Sequence, residues 1–185
     1  MNGFKPLQVG EPATQQLCEE RRETELLKTR GTLREYRTGK RDAEILRNFK
    51  TQYEPDIMEE ACLANTSITG PRYYGPRELE TGTIASPEHT ITIFIPLAPR
   101  LSSAANPQKP PKVLFQPNRD KETVREPITW HIGTPIQIPG NSRLVVDEGL
   151  ICFEMLQYDW KPAKHQDRES EGEGVRQNSA DQPGE

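Results

Sequence analysis

The sequence predicts a mainly β fold: a small antiparallel β-sandwich or jelly-roll-like domain with a charged, partly helical N-terminal arm and a disordered acidic C-terminal tail. Three observations carry this expectation. From Thr90 to Trp160, five or six short apolar runs follow one another with turn residues between them and no helical period. From Gln15 to Tyr53 helix formers dominate, but the apolar stripes are thin. Only 32% of the 185 residues are hydrophobic, 28% are charged and 17 are prolines. A chain this polar cannot bury all of itself, because ordering each residue costs about 1–2 kcal/mol of backbone entropy. The expected division is a flexible arm over 1–14, a charged helical segment over 15–55, an antiparallel β-domain over 56–160 and a disordered acidic tail over 161–185.

The elements follow in order. Residues 1–14 lack periodicity, with Gly and Pro interrupting. "QQLCEERRETELLKTR" offers Leu17, Leu26 and Leu27 as apolar anchors, and Gly31 and Gly39 break the run. "KRDAEILRNFKTQY" then places Ile45, Leu46, Phe49 and Tyr53 on one helical face, with Asp42 as a capping residue. "TGPRYYGPRELETGTIASPEHT" is dense in Gly and Pro and reads as turns and loop. Tyr73 and Tyr74 beside Arg72 and Arg77 suggest either the edge of a core or a stacking surface for bases.

The β signal opens at "TITIFIPL", where Ile91, Ile93 and Ile95 alternate with Thr90, Thr92 and Phe94. "KVLFQP", "PITWHIG", "TPIQIPG", "SRLVVDEG" and "GLICFEML" continue it, with prolines at the strand margins, where a missing donor costs least. Pro139-Gly140 suits the centre of a tight turn.

Charge and cysteine content narrow the functional classes. The net charge of -4 argues against a globally basic nucleic-acid binder. The stretch from Arg21 to Lys50 is locally basic, with ten Lys/Arg against five Asp/Glu, and Arg21, Arg22, Lys28, Arg30, Arg34, Arg37, Lys40 and Arg41 are its candidate nucleic-acid contacts. Interleaved acids weaken that field, and a solvated face laced with ion pairs is the plainer reading. Cys18, Cys62 and Cys152 are too widely spaced for a disulfide framework or a zinc knuckle, which points to a reducing, intracellular compartment (cytoplasm or nucleus). The N-terminus has no signal-peptide h-region, and no run approaches the roughly 20 apolar residues of a membrane span. No membrane partner, cofactor or metal is expected.

Catalytic signatures are absent. His89, His131 and His165 lie far apart in sequence, and no P-loop, GxGxxG or GxSxG pattern occurs. A nucleophile pair would have to be assembled from Cys152 and His131, and a strand cysteine is more often a small hydrophobe. The chain is therefore expected not to be an enzyme.

Two resemblances enter through particular residues. "PIQIPGNSRLVVDEGLICFEM" resembles the turn-then-strand segment of compact jelly-roll proteins, including trimeric dUTPase-type folds. It implies a jelly-roll scaffold; the catalytic motifs that flank it in that family have no counterpart here. Leu150, Cys152 and Glu154 spell L-x-C-x-E, followed by Leu156. This resembles the peptide by which several viral oncoproteins and some cellular proteins bind the retinoblastoma-family pocket. The resemblance implies that Leu150 and Cys152 enter apolar pockets while Glu154 accepts hydrogen bonds. In an extended chain the three share one face. Asp147 and Glu148 precede the stretch, and Ser170 in "SEGE" is an acidophilic-kinase-like site. Ile151, Phe153 and Met155 on the opposite face look like core, so a strand buried on both sides is the leading reading.

The functional expectation is a non-enzymatic interaction or assembly protein, of the viral structural or accessory kind. Its β-domain would be the scaffold and its basic arm would contact a protein partner, another subunit or a nucleic acid. The alternatives are a host-directed regulator that binds a retinoblastoma-family pocket and a nucleotide-processing enzyme on a dUTPase-like scaffold.

Overall fold

A computed structural model describes residues 4–8, 10–20, 25–64, 66–99, 110–118 and 124–162. Its elements run β1 (Lys5–Pro6), α1 (Pro12–Glu19), β2 (Leu26–Arg30), β3 (Leu33–Tyr36), α2 (Lys40–Leu63), β4 (Thr66–Leu79), β5 (Gly82–Ser86), β6 (Thr90–Leu97), β7 (Lys112–Gln116), β8 (Glu126–Ile128), β9 (Ile136–Pro139), β10 (Ser142–Glu148) and β11 (Ile151–Pro162). The fold is mainly β, with two antiparallel sheets: one ordered β1-β9-β6-β11-β4-β3-β2, the other β5-β10-β7-β8.

Two apolar clusters flank the larger sheet. On one face Ile45, Phe49, Tyr53 and Ile57 of α2 and Cys18 of α1 meet Ile91, Ile93, Ile95 and Leu97 of β6, with Leu150 and with Cys152, Leu156 and Tyr158 of β11. On the other face Phe94, Ile136, Ile138, Ile151, Phe153 and Met155 meet Val113, Phe115, Ile128, Leu144 and Val146 of the smaller sheet. Every residue of β6 is buried, because the sheet is covered on both sides there. Alternation along β6 and β11 therefore sorts residues between two cores rather than between core and water.

The helical reading of 15–55 needs correction. Residues 26–36 form a hairpin whose Arg30 and Leu33 are paired, leaving Gly31 and Thr32 as its turn. Gly31 takes φ 58°, the conformation a two-residue hairpin turn demands of its first central residue. α2 runs past Pro55 to Leu63, because Asp42, Ile45, Phe49, Tyr53, Ile57 and Ala61 form one buried stripe that continues across the proline. Asp42 lies at the third helical position, where its Oδ2 accepts the Gly39 amide at 2.5 Å, half of a capping box.

The Gly/Pro-rich stretch expected as turns and loop holds most of the 14-residue strand β4 and all of β5. β4 pairs along β11 with register shifts between Glu154 and Leu156 and between Gln157 and Asp159. Opposite these shifts lie Tyr74-Gly75 and Gly70-Pro71, so these strand-breaking residues sit in bulges. Gly75, at φ 69°, supplies the left-handed residue that such a bulge uses. At the other end of the chain, Lys161 and Pro162 belong to β11; the remainder of the expected tail lies outside the described residues.

Candidate functional site

The L-x-C-x-E stretch lies at the centre of the larger sheet, with β4 on one side of β11 and β6 on the other. Leu150 is 9% exposed, Cys152 3% and Glu154 0%. Cys152 pairs with Glu78 and Leu97, and Glu154 with Pro76 and Ile95. The register turns all three side chains toward the helices.

Glu78 is also buried, and it is well provided with donors. The Tyr36 hydroxyl donates to its Oε2 at 2.6 Å, the Cys152 thiol to its Oε1 at 3.6 Å, and Arg34 Nη1 lies 3.6 Å from Oε2. Burial pushes the nearby Tyr73 phenol well above the usual tyrosine range, and the carboxylates of Glu154 and Asp42 push it further. Docking into a groove requires Leu150, Cys152 and Glu154 to face a partner. In this fold they are the interior of a polar and apolar core, and both edges of their strand are occupied.

The basic residues are dispersed rather than gathered. Arg21 and Arg22 lie outside the described residues. Lys28 and Arg30 are exposed on β2, and Arg34 reaches Glu78 and Glu80. Arg37 pairs with Glu25 at 3.1 Å and Arg41 with Glu20 at 2.6 Å. Lys40 is exposed at the start of α2. Arg34 points to the helix-covered face of the sheet, while Lys28 and Arg30 pair with Glu35 and Leu33, which turn the other way. Among the described residues these basic side chains form no single-signed surface.

The tyrosine pair also separates. Tyr73 packs on the helix-side cluster and Tyr74 on the other, where the Arg77 guanidinium sits 5.1 Å from its ring centroid. Arg72 is held by Asp159 at 2.6 Å and Arg77 by Glu35 at 3.2 Å. Adjacent strand residues face opposite ways, so the pair makes no stacking platform.

The Cys152–His131 pair is not formed as a catalytic unit. His131 is exposed in the loop before Gly133, while Cys152 is committed to the core and to Glu78. Among the described residues no group of His, Cys, Asp and Glu is arranged to hold a metal ion, and no helix is long and apolar enough to cross a membrane.

A different site emerges where five segments converge. The end of α2 and the residue that caps it (Ala61, Ala64), the first residue of β4 (Thr66), the β5–β6 turn and the start of β6 (Glu88 to Ile91), the β9–β10 corner (Pro139 to Asn141) and Trp160 near the end of β11 line a cleft of about 320 Å³. That volume lies in the ordinary range for small-ligand sites. Thr90 and Ile91 are buried in its floor, while Glu88 and His89 stand exposed at its rim.

Backbone geometry defines this cleft. The β9–β10 corner carries the chain from one sheet to the other, with Gly140-Asn141 between the strands rather than Pro139-Gly140. A Cβ on Gly140 would lie 2.7 Å from the Pro87 carbonyl oxygen and 2.9 Å from that of Thr90, so only glycine lets the two turns approach this closely. The Asn141 amide donates to Pro87 O at 3.3 Å and the Trp160 amide to His89 O at 2.9 Å. Thr90 Oγ1 also donates to Pro87 O, at 2.7 Å.

Among the described residues the non-glycine positions with positive φ are His89 (58°) and Asn141 (57°), and both line the cleft. Such conformations cost about 1–3 kcal/mol each and persist where the surroundings over-determine them. The His89 and Trp160 rings meet edge to face with centroids 5.0 Å apart and planes at 84°, and Glu88 Oε1 lies 3.7 Å from His89 Nε2. His89 and Trp160 were legible only as isolated residues; Pro139-Gly140-Asn141 was the one local cue to a special corner.

Fold and cleft together define a mainly β protein with two antiparallel sheets, helices packed on the larger one, and an aromatic-walled recess at one end. No protein-family model, curated protein or solved structure matches the chain.

Proposed function

We propose that this is a non-enzymatic interaction protein whose β scaffold offers the Trp160–His89 cleft as the contact surface for a side chain of a protein partner. The observation that carries the reading is the coincidence of both strained non-glycine residues with the indole-walled recess. An apolar recess with a few convergent polar groups is the general form of a binding site. A β-sandwich description of the scaffold is supported by the cluster that joins side chains of both sheets. The jelly-roll form rests on the local resemblance of residues 135–155 alone.

Sheet-edge assembly is the weaker form of the interaction reading. β1 and β8 are two and three residues long and contain Pro6 and Pro127. β2 exposes Leu26 and Leu27, but a register shift between Leu26 and Lys28 distorts this edge, which also carries Lys28 and Arg30.

A photo-crosslinking residue in place of Ala64 on the exposed rim, with the same residue in place of Lys50 on the exposed face of α2 as control, tests the proposal in the full chain. A partner captured from position 64, not from position 50, and lost with Trp160→Leu is the expected result. Capture that is indifferent to Trp160, or no capture at 64, contradicts it.

A further inference from the structure

We infer that the group received by the cleft is an alkylammonium, presented by a lysine side chain of an extended partner segment; the inference rests on the cleft being a contact site at all. Four observations converge on a cation. Trp160 lines the cleft, and its indole is the kind of aromatic ring that attracts cations most strongly. Glu88 adds a carboxylate at the rim, with its side chain 73% exposed and its Oε1 3.7 Å from His89 Nε2. The 24-residue helix α2 ends at the cleft with no basic residue of its own in the last turn, the one cation paired near that end among the described residues being Lys5 of β1 on Glu60. The lining contains no Lys or Arg.

An anionic ligand would meet the same features as repulsion. A purely apolar ligand would leave the carboxylate and the helix end unused. The remaining walls, Ala61, Ile91 and Pro139, accept the methylene stem of a long amine while its head reaches the indole and Glu88. The segment bearing the lysine would run over the exposed rim formed by Glu88, His89 and Ala64.

The test uses the intact chain, ¹⁵N-labelled, with the amide signals of Gly140 and Asn141 and the indole signal of Trp160 as reporters. Three probes are titrated: choline, its uncharged isostere 3,3-dimethyl-1-butanol, and a short peptide with one central lysine flanked by glycines. Choline is expected to shift the reporters and to bind roughly 5- to 10-fold more tightly than the isostere, a ratio set by the ordinary strength of a cation–π contact. Glu88→Gln, on the exposed rim, should reduce that ratio without moving signals from the two cores. Shifts by the lysine peptide at the same reporters support a protein source for the amine; shifts by choline alone overturn that part and assign the cleft to a small amine. Equal binding of choline and its isostere overturns the cation while leaving the cleft as a contact site. No shift with any probe overturns both.

Discussion

The backbone amide of Trp160 donates to the carbonyl of His89 at 2.9 Å while their rings meet edge to face 5.0 Å apart. One hydrogen bond and one ring contact thus tie the last strand of the larger sheet to the β5–β6 turn. The same turn is tied to the β9–β10 corner through Pro87 O, which accepts from Asn141. Trp160 is therefore a fixed wall rather than a loose surface indole.

The corner should be intolerant of a single methyl group. Gly140→Ala is expected to cost about 1–3 kcal/mol, since both crowded neighbours are backbone carbonyls that cannot rotate away. Asn141→Val, which forces a β-branched residue into the left-handed region, should cost about 1–2 kcal/mol, whereas Asn141→Gly should be neutral or stabilising. Urea denaturation midpoints for the three variants check the ordering.

The folded chain should not be captured by a retinoblastoma-family pocket, whereas a synthetic peptide spanning residues 147–158 should be. Leu150, Cys152 and Glu154 are interior in the first and free in the second. Cys152→Gly should lower stability by about 2–3 kcal/mol, through lost packing and the entropy of glycine in a central strand. Capture of the intact, folded protein that is abolished by Cys152→Gly, with the fold retained, would show that β11 leaves the sheet.

Buried Glu78 depends on its donors. Tyr36→Phe removes the 2.6 Å hydrogen bond and leaves the carboxylate less well satisfied, at an expected cost of about 1–3 kcal/mol. The same change at Tyr74, whose ring lies under Arg77, should cost less than about 0.5 kcal/mol. Parallel denaturation of the two variants measures the difference.

Alkaline pH should unfold the chain before its core tyrosines ionise normally. Burial pushes the Tyr53 phenol up to about 12, and those of Tyr73 and Tyr158 further above the usual 10.0. Each raised phenol favours the folded state less as pH climbs above 10.0, because only the unfolded chain can ionise it at its ordinary value. Tyrosinate absorbance should therefore rise in two phases, the later one coinciding with loss of near-ultraviolet circular dichroism. A single transition of all five tyrosines with the fold intact would contradict the burial.

Much of the core was legible in the sequence because its periods are clean. Ile45, Phe49 and Tyr53 mark one helical face, and Ile91, Ile93 and Ile95 one strand face, as the alternation required. The β2–β3 hairpin was not legible, because β2 is exposed throughout and its charged residues mimic a solvated helix. β4 was hidden by Gly70, Pro71, Gly75 and Pro76; the first three lie in bulges that only the register with β11 reveals, and Pro76 pairs with Glu154. Pro55 looked like a helix end because local propensity takes no account of the buried stripe on both sides of it. The cleft was the least legible feature. Its lining comes from five segments between Ala61 and Trp160, and proximity among them is a property of sheet topology.

The most direct test of the cleft as an ammonium site is the set of intermolecular nuclear Overhauser effects between the intact protein and N-acetyl-trimethyllysine methylamide. Contacts are expected from the trimethylammonium protons to the Trp160 indole ring and from the methylene stem to Ile91. Contacts confined to other surfaces, or none at saturating ligand, would contradict the ammonium site.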